Sequence, residues 1–306
     1  MNPCVLFPVT YQNRRGYIDR EGKVVVKPQF ESALGFYEGF GCVKVGNCQG
    51  FVNAKGEIAI KPQFRAASIF SEGLAAVSFS DNQRWGYIDK SGNVAIEHLF
   101  DGASNFHEGL ASVEIKSKWG CIDKTGKTVI PPMSRIPIDF SDGLAMVKSG
   151  GRYGYIDRNG AFAVSLRYKS AYPFTERLAC AGMGDKPAFY IDKIGNIAIQ
   201  SRDFQEVRPF EEGLAAVKVS NRWGFIDKTG EFVIKPDFKH AFGFSDGLAP
   251  ASKSDRCGYI DKSGSFVIAP IYDMAWSFQD GLASVGIGDK WGYIDAKGRY
   301  VWEPSA

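Results

Sequence analysis

The chain has 306 residues, of which 44% are hydrophobic, 23% charged and 14% aromatic. This composition is typical of a folded globular protein and excludes a disordered chain, a collagen and a coiled coil. Lysine and arginine number 37 against 34 aspartate and glutamate, which leaves a formal net charge of +3. Because this excess is so small, we expect neither a nucleic acid nor a membrane surface as the partner.

The start of the chain, MNPCVLFPVTYQNRRG, lacks the basic region followed by an apolar region of a secretion signal. No apolar run approaches the roughly 18 residues that a membrane span needs, so we expect a cytoplasmic protein. The cysteines form no CxxC pair, and no histidine stands at a spacing typical of a metal site. We therefore predict free structural thiols, no metal and no cofactor.

One segment of the form (K/R)-W-G-Y-I-D-K-(S/T)-G recurs along the whole chain at steps of 34 to 36 residues. Its acidic position is filled, in chain order, by Asp19, Asn53, Asp89, Asp123, Asp157, Asp192, Asp227, Asp261 and Asp295. Between successive segments lies a connector of the form F-x-x-A-x-x-F-(S)-(E/D)-G-L-A. Nine units with eight connectors therefore fill the chain, which predicts a single repeat domain over residues 1–306.

Within one unit, residues 74–106, the runs LAAVSF, WGYID and NVAI predict three strands separated by polar turns. The sequence DKSG predicts a tight hairpin turn, in which the aspartate accepts backbone N–H groups and the glycine takes a positive φ. A proline often follows the third run and is expected to end that strand. In the connector, apolar residues spaced by three predict a short 3₁₀ turn. The turn glycines are Gly22, Gly56, Gly92, Gly126, Gly160, Gly195, Gly230, Gly264 and Gly298.

Such a meander of about 34 residues cannot bury its own aromatic face, so neighbouring units must cover one another. We predict an all-β tandem array of nine three-stranded units that forms an open solenoid or superhelix. The alternative is a closed, propeller-like ring, which would remove the exposed edges at each end. We prefer the open array because propeller blades typically have four strands and about 40 residues.

Four segments carry the repeat in intact form: RWGYIDKSG (84–92), KWGCIDKTG (118–126), RWGFIDKTG (222–230) and KWGYIDAKG (290–298). In these segments, and over essentially its whole length, the chain resembles the WG repeat family, also written KWG. The resemblance implies a bacterial repeat protein that mediates interactions. It supplies no catalytic motif to carry over to this sequence.

Charged residues also recur in fixed positions. An acid occupies one fixed position in each connector, directly before Gly-Leu in six of the eight, and a base precedes the tryptophan position in most units. These columns could form a catalytic carboxylate pair or a phosphate-binding stripe. We interpret them instead as solvated columns and ion pairs between units, because active sites interrupt a repeat whereas these groups follow it.

Aromatic residues form two ladders, one at the tryptophan position and one at the tyrosine position two residues later. Exposed rings would offer stacking platforms to a sugar, whereas buried rings would form the core between units. We expect burial, because Cys257 and Ala188 replace the tryptophan in two units.

Departures from the repeat concentrate in the middle of the chain. One connector gains Arg135 and Pro137. The next connector has Arg177 where the other seven have glycine. The unit that follows contains Lys186 and has Phe189 at a position that is otherwise glycine. Because regular columns must satisfy packing between units, we predict that these five residues bind a partner.

No Walker loop, GxGxxG, GxSxG or HExxH motif occurs, so we expect no enzyme and no catalytic residue. We predict a non-enzymatic interaction or scaffold protein that presents an extended surface to another protein. A carbohydrate or cell-wall binding module that uses the aromatic ladder is the alternative. A hydrolase with an unrecognised carboxylate site is a third hypothesis.

Overall fold

The computed structural model describes residues 5–79 and 83–305, all of which lie in strands, turns and extended segments. The chain divides after Phe140 into two compact units. In both units every sheet is an antiparallel meander, in which strands that follow one another in sequence are hydrogen-bonded neighbours.

The first unit contains four sheets, numbered 1 to 4. Sheet 1 consists of β1 (Phe7–Tyr11), β2 (Arg14–Ile18) and β3 (Val24–Phe30). Sheet 2 consists of β4 (Ser32–Tyr37), β5 (Phe40–Val45), β6 (Cys48–Asn53) and β7 (Ile58–Phe64). Sheet 3 consists of β8 (Ala66–Ala67), β9 (Leu74–Ser78), β10 (Trp85–Asp89) and β11 (Val94–Phe100). Sheet 4 consists of β12 (Gly102–His107), β13 (Leu110–Ile115), β14 (Lys118–Asp123) and β15 (Thr128–Ser134).

The second unit contains sheets 5 to 9. Sheet 5 consists of β16 (Phe140–Ser141), β17 (Leu144–Ser149), β18 (Arg152–Ile156) and β19 (Phe162–Tyr168). Sheet 6 consists of β20 (Ser170–Ala171), β21 (Ala179–Gly182), β22 (Phe189–Ile191) and β23 (Ile197–Gln200). Sheet 7 consists of β24 (Glu206–Glu211), β25 (Leu214–Val219), β26 (Arg222–Ile226) and β27 (Phe232–Phe238). Sheet 8 consists of β28 (His240–Ala241), β29 (Ala249–Ser252), β30 (Cys257–Ile260) and β31 (Phe266–Tyr272), and sheet 9 of β32 (Met274–Ala275), β33 (Leu282–Ile287), β34 (Lys290–Asp295) and β35 (Tyr300–Ser305).

Eight of the nine sheets have four strands, which we letter A to D in chain order; within the described residues, sheet 1 has only strands B to D. A four-stranded antiparallel meander is the blade of a β-propeller. The fold is therefore a nine-bladed β-propeller, and the prediction of an open solenoid of three-stranded units is wrong. The propeller alternative describes the fold, with blades shorter than the usual 40 residues.

The fourth strand comes from the connector, which forms strand A and not a 3₁₀ turn. In sheet 4, Ala103 pairs with Val113 and Phe106 pairs with Ala111, so three residues on strand A span two on strand B. This bulge places both Ala103 and Phe106 on the core side of the strand. The spacing of three between the apolar residues, which predicted a 3₁₀ turn, is therefore produced by a bulge in a strand.

The prolines expected to end strand D lie within it. In sheet 7, Phe225 pairs with Ile234 and Trp223 pairs with Phe238, so strand D has two extra residues around Pro236. Strand D is the last strand of its sheet, and a bulged edge strand tolerates a residue without an N–H donor. The prediction that proline stops this strand is therefore wrong.

The turn between strands C and D has the geometry that its sequence requires. In sheet 3, an oxygen of the Asp89 carboxylate accepts the N–H groups of Ser91 at 2.8 Å and Asn93 at 2.9 Å. Gly92 has φ 84°, and the corresponding glycines of all nine sheets have φ between 76° and 89°. Because only glycine adopts this region without strain, the backbone explains its recurrence.

The core lies between successive sheets. In the first unit, one cluster joins Tyr87 and Ile96 of sheet 3 to Phe106 and Val113 of sheet 4. The hydroxyl of Tyr87 donates a hydrogen bond to the backbone oxygen of Ser104 at 2.8 Å. Sheets 1, 3, 5, 6 and 8 each bury a strand C tyrosine against the connector that leads into the next sheet, as a repeat that cannot form its own core must do.

Candidate binding site

The acidic column joins neighbouring sheets. In the first unit, the Glu38 carboxylate accepts the N–H of Gly73 at 3.0 Å and pairs with the Lys90 ammonium at 3.0 Å. Although loss of water opposes ionisation, these bonds hold the pKa of Glu38 below its ordinary value. In the second unit, Glu176 makes the equivalent contacts with Gly213 and Lys228. The acidic column is therefore structural. This agrees with the interpretation of its residues as ion pairs between units.

The basic column is bonded within its own sheets. The guanidinium of Arg152 donates to the backbone oxygen of Arg167 at 2.9 Å, and Arg256 pairs with Asp273 at 2.7 Å. Both acceptors lie at strand D or just after it. These bases therefore hold the end of strand D in place.

The aromatic ladders differ from each other. At the tyrosine position, Tyr17, Tyr87, Tyr155, Tyr190 and Tyr259 are completely buried. At the tryptophan position, Trp223 is buried, whereas Trp291 is 38% exposed. The expected burial therefore holds for these five tyrosines but not for Tyr293, which is partly exposed, or for the whole tryptophan ladder. The five buried tyrosines offer no platform to a sugar.

The five residues predicted to bind a partner fall in both units, and the three in the second unit do not form one site. Arg135 and Pro137 are exposed in the first unit, between β15 and β16. In sheet 6 of the second unit, Arg177 lies in the A–B turn with φ 75°, whereas Lys186 lies in the B–C loop, at the other end of strand B. The Lys186 ammonium pairs with Glu206 at 2.7 Å. Phe189 is 8% exposed and packs against Tyr168, so it belongs to the core.

A different set of side chains forms an exposed row in the second unit. They occupy one position of the connector, two residues before its second phenylalanine, which we call the row position. It lies within strand A in sheet 7 and directly after strand A in sheets 6, 8 and 9. Its residues in sheets 6 to 9 are Tyr172, Arg208, Phe242 and Trp276, and we name these four the exposed row. The three aromatic members are 44%, 43% and 57% exposed, in chain order.

Backbone contacts fix the row position from the preceding sheet. The hydroxyls of Tyr155, Tyr190 and Tyr259 donate to the backbone oxygens of Tyr172, Arg208 and Trp276 at 2.7 to 2.8 Å. Because these bonds use the backbone of the row position, its side chain is free to differ among sheets. The scaffold thus holds the exposed row without prescribing its chemistry.

Arg208 lies at the centre of this arrangement. Its guanidinium carbon is 4.5 Å from the centre of the Trp223 ring and 4.6 Å from that of Phe242. Burial lowers the pKa of Arg208, while Glu206 and Glu211 oppose the shift, and an arginine remains cationic under such conditions. Within residues 5–79 and 83–305, no acceptor receives a hydrogen bond from this guanidinium.

A pocket of about 350 Å³ opens beside the guanidinium, with Tyr172, Arg208, Glu211 and Phe242 among its lining residues. The Glu211 carboxylate lies against Gly243, where a methyl group would overlap it. Loss of water raises the pKa of Glu211, Arg208 opposes this shift, and Glu176 and Glu212 add to it. The pocket therefore combines aromatic walls, a cation with free donors and a carboxylate.

A second pocket, of about 150 Å³, continues the apolar surface. Phe242, Met274 and Trp276 line it together with Cys257 and Asp273. Met274 is 52% exposed. Exposed apolar side chains thus extend from sheet 8 to sheet 9, and such patches are typical of interaction surfaces.

The family of the chain follows from its repeats. Eight stretches match the model described as "WG containing repeat", namely residues 16–47, 50–82, 85–119, 119–153, 153–186, 189–223, 223–257 and 258–291. The chain belongs to the WG repeat family. This confirms the resemblance seen in the sequence. No curated protein matches this WG repeat chain in sequence.

Solved structures show the fold of this WG repeat protein. The crystal structure of the eukaryotic initiation factor matches it with a TM-score of 0.70 at 8% identity, over 100% of this chain and 96% of that one. At this identity the likeness shows the fold alone. Apo AztD from Citrobacter koseri has a TM-score of 0.46 at 13% identity over 99% and 93% of the two chains, and virginiamycin B lyase from Staphylococcus aureus has 0.39 at 13% over 76% and 91%. Likeness at these lower scores adds nothing to the fold assignment.

Other kinds of site have little basis in the described part of this WG repeat chain. Residues 5–79 and 83–305 contain no group of three or more His, Cys, Asp or Glu placed to hold a metal. The same residues include no helix long and apolar enough to cross a membrane. The five cysteines among them have free thiols, and Cys4 lies outside the described residues.

Sequence reasoning missed the exposed row because the row position does not follow the WG repeat. One difference is visible in the sequence: the row position holds an aromatic residue or arginine in the last four connectors. In the first four it holds serine or an aliphatic residue, namely Leu34, Ser68, Ser104 and Ile138. Without the fourth strand, however, no pattern showed that these side chains lie in successive sheets.

Proposed function

We propose that this WG repeat propeller is a non-enzymatic binding protein and that its partner is another protein. The exposed row carries the proposal, because Tyr172, Phe242 and Trp276 expose large apolar surfaces around a preorganised arginine. Tyrosine, tryptophan and arginine are the residues most enriched among those that dominate the energy of protein–protein interfaces. A scaffold of buried, repeated contacts supports them, as a precise binding surface requires.

The proposal moves the binding surface away from the five residues singled out in the sequence. Lys186 alone stays connected to it, because its ion pair with Glu206 lies beside Arg208 in sheet 7. Phe189 supports the surface from the core and presents nothing to a partner. Arg135 and Pro137 belong to the other unit.

The experiment is photo-crosslinking in the native cell with a crosslinking amino acid at position 276 or, as a control, at position 99. Leu99 is 66% exposed and lies in strand D of sheet 3. We expect one protein to be captured from position 276 and not from position 99. That protein is then purified, and its binding to the wild-type chain is measured by calorimetry.

The triple variant Tyr172→Ser, Phe242→Ser, Trp276→Ser should bind this purified partner at least tenfold more weakly, a loss of about 1.4 kcal/mol of binding free energy. The matched control is Leu34→Ser, Ile58→Ser, Leu99→Ser, whose three side chains are 40%, 45% and 66% exposed. Equal weakening by both triple variants, or no captured protein that binds after purification, would contradict the proposal.

Exposed rings also favour one alternative, a carbohydrate partner that stacks on Trp276. A glycan array probed with the wild-type chain and with Trp276→Ser separates the two. Protein binding without glycan binding supports the proposal, whereas glycan binding that Trp276→Ser abolishes favours the carbohydrate alternative.

A further inference from the structure

The guanidinium of Arg208 is held in place but has unused donors. Its two ring contacts, with Trp223 in strand C of the same sheet and with Phe242 directly after strand A of the next, are at 4.5 and 4.6 Å. A guanidinium that packs over aromatic rings keeps N–H donors that can bind an acceptor. Since no acceptor among the described residues takes these donors, a ligand acceptor is the natural partner.

The nearby carboxylates do not fill this role. Glu206 is occupied by the Lys186 ammonium at 2.7 Å, and Glu211 lies against the backbone of Gly243. The two acids of the pocket lining are thus balanced by Arg208 and by Lys186, which lies outside the lining. A carboxylate is the acceptor that matches the fork of an arginine in two parallel hydrogen bonds.

The surroundings of the arginine indicate which carboxylate fits. Tyr172 of sheet 6 lies on one side of Arg208, and Phe242 and Trp276 of sheets 8 and 9 lie on the other. A ligand that used all of these rings would have apolar groups on both sides of its acid. An internal acidic side chain meets this requirement, whereas a chain terminus would leave one side of the row empty.

We propose that the pocket at Arg208 binds a glutamate or aspartate side chain of a partner segment in which apolar residues flank the acid. This inference rests on the proposed function and specifies the chemistry of the partner. The acidic side chain lies against the guanidinium edge, the flanking apolar residues pack on Tyr172 and Phe242, and Glu211 accepts a backbone N–H of the segment.

A displayed library of random dodecapeptides, selected on the full chain, tests the proposal. Selected peptides are synthesised with an amidated C-terminus in two forms, one with each internal acid intact and one with glutamate replaced by glutamine or aspartate by asparagine. We expect this replacement to weaken binding to the wild-type chain at least tenfold, because the arginine donors are then left without a charged acceptor.

Three variants complete the design. On Arg208→Met the same replacement should change binding less than twofold, because the group that recognises the acid is gone. Arg208→Lys keeps the charge without the fork and should give an intermediate loss. Arg152→Met is the control, since Arg152 is exposed and bonded to Arg167 in sheet 5, and it should preserve the full effect. Thermal unfolding of each variant verifies that the fold is intact.

The outcomes separate this inference from the proposed function. Peptides that bind but do not depend on an internal acid, or whose dependence survives Arg208→Met, would overturn the inference and leave the protein partner standing. Peptides that bind only with a free C-terminal carboxylate would overturn the proposal that the recognised acid is an internal side chain. Failure to select any peptide would also overturn the inference, whereas the proposed function is decided by the crosslinked partner.

Discussion

The row position differs between the two units of the chain. In the first unit, Ile138 is 2% exposed, and the hydroxyl of Ser104 donates to Asp139 at 3.1 Å and so joins two connectors. In the second unit, the same position carries exposed aromatic side chains and an arginine stacked between two rings. At Ile138 the row position thus belongs to the core, whereas at the three aromatic residues of the second unit, as at Leu34 of the first, it is exposed.

The comparison shows how a repeat can conserve its scaffold and still vary a surface. The bond from the strand C tyrosine reaches the backbone oxygen of the row position in both units, at Ser104 and at Tyr172. Since the side chain takes no part in this bond, replacing it leaves the contact between sheets intact. Where the side chain is exposed, as at Tyr172 and Trp276, binding residues can therefore accumulate at this position without loss of that contact.

The largest expected effect contrasts two substitutions at the row position. Ile138→Ser places a hydroxyl in a buried apolar site and should lower the free energy of unfolding by about 3 kcal/mol or more. Trp276→Ser should lower it by less than about 1 kcal/mol, because that ring is mainly exposed. Urea denaturation of the two variants measures the difference, and similar losses would show that the position has the same role in both units.

The next prediction concerns the glycine of strand C that lies against strand D. Its replacement should destabilise the fold equally in both units. A Cβ at Gly120 would lie 2.5 Å from the backbone oxygen of Ile130, and a Cβ at Gly224 would lie 2.6 Å from that of Ile234. Gly120→Ala and Gly224→Ala should each lower the free energy of unfolding by about 2 to 3 kcal/mol, because strand D must move away.

Gly184 provides the control, since a Cβ there would meet no atom within 4 Å. Gly184→Ala should change the free energy of unfolding by less than about 0.5 kcal/mol. A loss at Gly120 or Gly224 no larger than that of the control would mean that the close approach of strands C and D does not hold the sheets.

The smallest expected effect is the difference in pH-dependent stability between Glu176, which joins two sheets, and Glu211, which lines the pocket. Loss of water raises the pKa of Glu176, but its bonds with Lys228 and Gly213 outweigh this and hold it below the ordinary value. Its ionised form therefore stabilises the fold at neutral pH, and this contribution disappears as the pH falls through the lowered pKa. Loss of water raises the pKa of Glu211, so its ionised form destabilises the fold at neutral pH, and that penalty disappears as the pH falls through the raised pKa.

At pH 7, Glu176→Gln should lower the free energy of unfolding and Glu211→Gln should raise it, each by about 0.5 kcal/mol or less because both sites are partly exposed. Both differences should shrink on acidification, and that of Glu211→Gln should shrink at the higher pH. Denaturation between pH 3 and pH 8 measures this. Shifts of the same sign at pH 7 would mean that the two acids do not differ as described.

The repeated parts of the fold could be predicted from the sequence because their causes are local. Gly92 must have a positive φ and Asp89 must accept turn N–H groups whatever the sheets do. Strand A could not be predicted, because the bulge between Ala103 and Phe106 produces the spacing of a helical turn. The departures at Arg177 and Phe189 are real, yet Arg177 lies in an exposed turn and Phe189 lies in the core, since a break in a repeat does not by itself indicate a binding site.

The central claim is that the exposed row of the second unit is the partner surface. Hydroxyl-radical footprinting of the full chain, with and without the purified partner, tests it most directly because it reports side-chain exposure residue by residue. The account predicts that the partner protects Tyr172, Phe242 and Trp276 and leaves Leu34, Leu99 and Trp291 as reactive as in the free chain. Protection of Leu34 or Trp291 without protection of the row would contradict it.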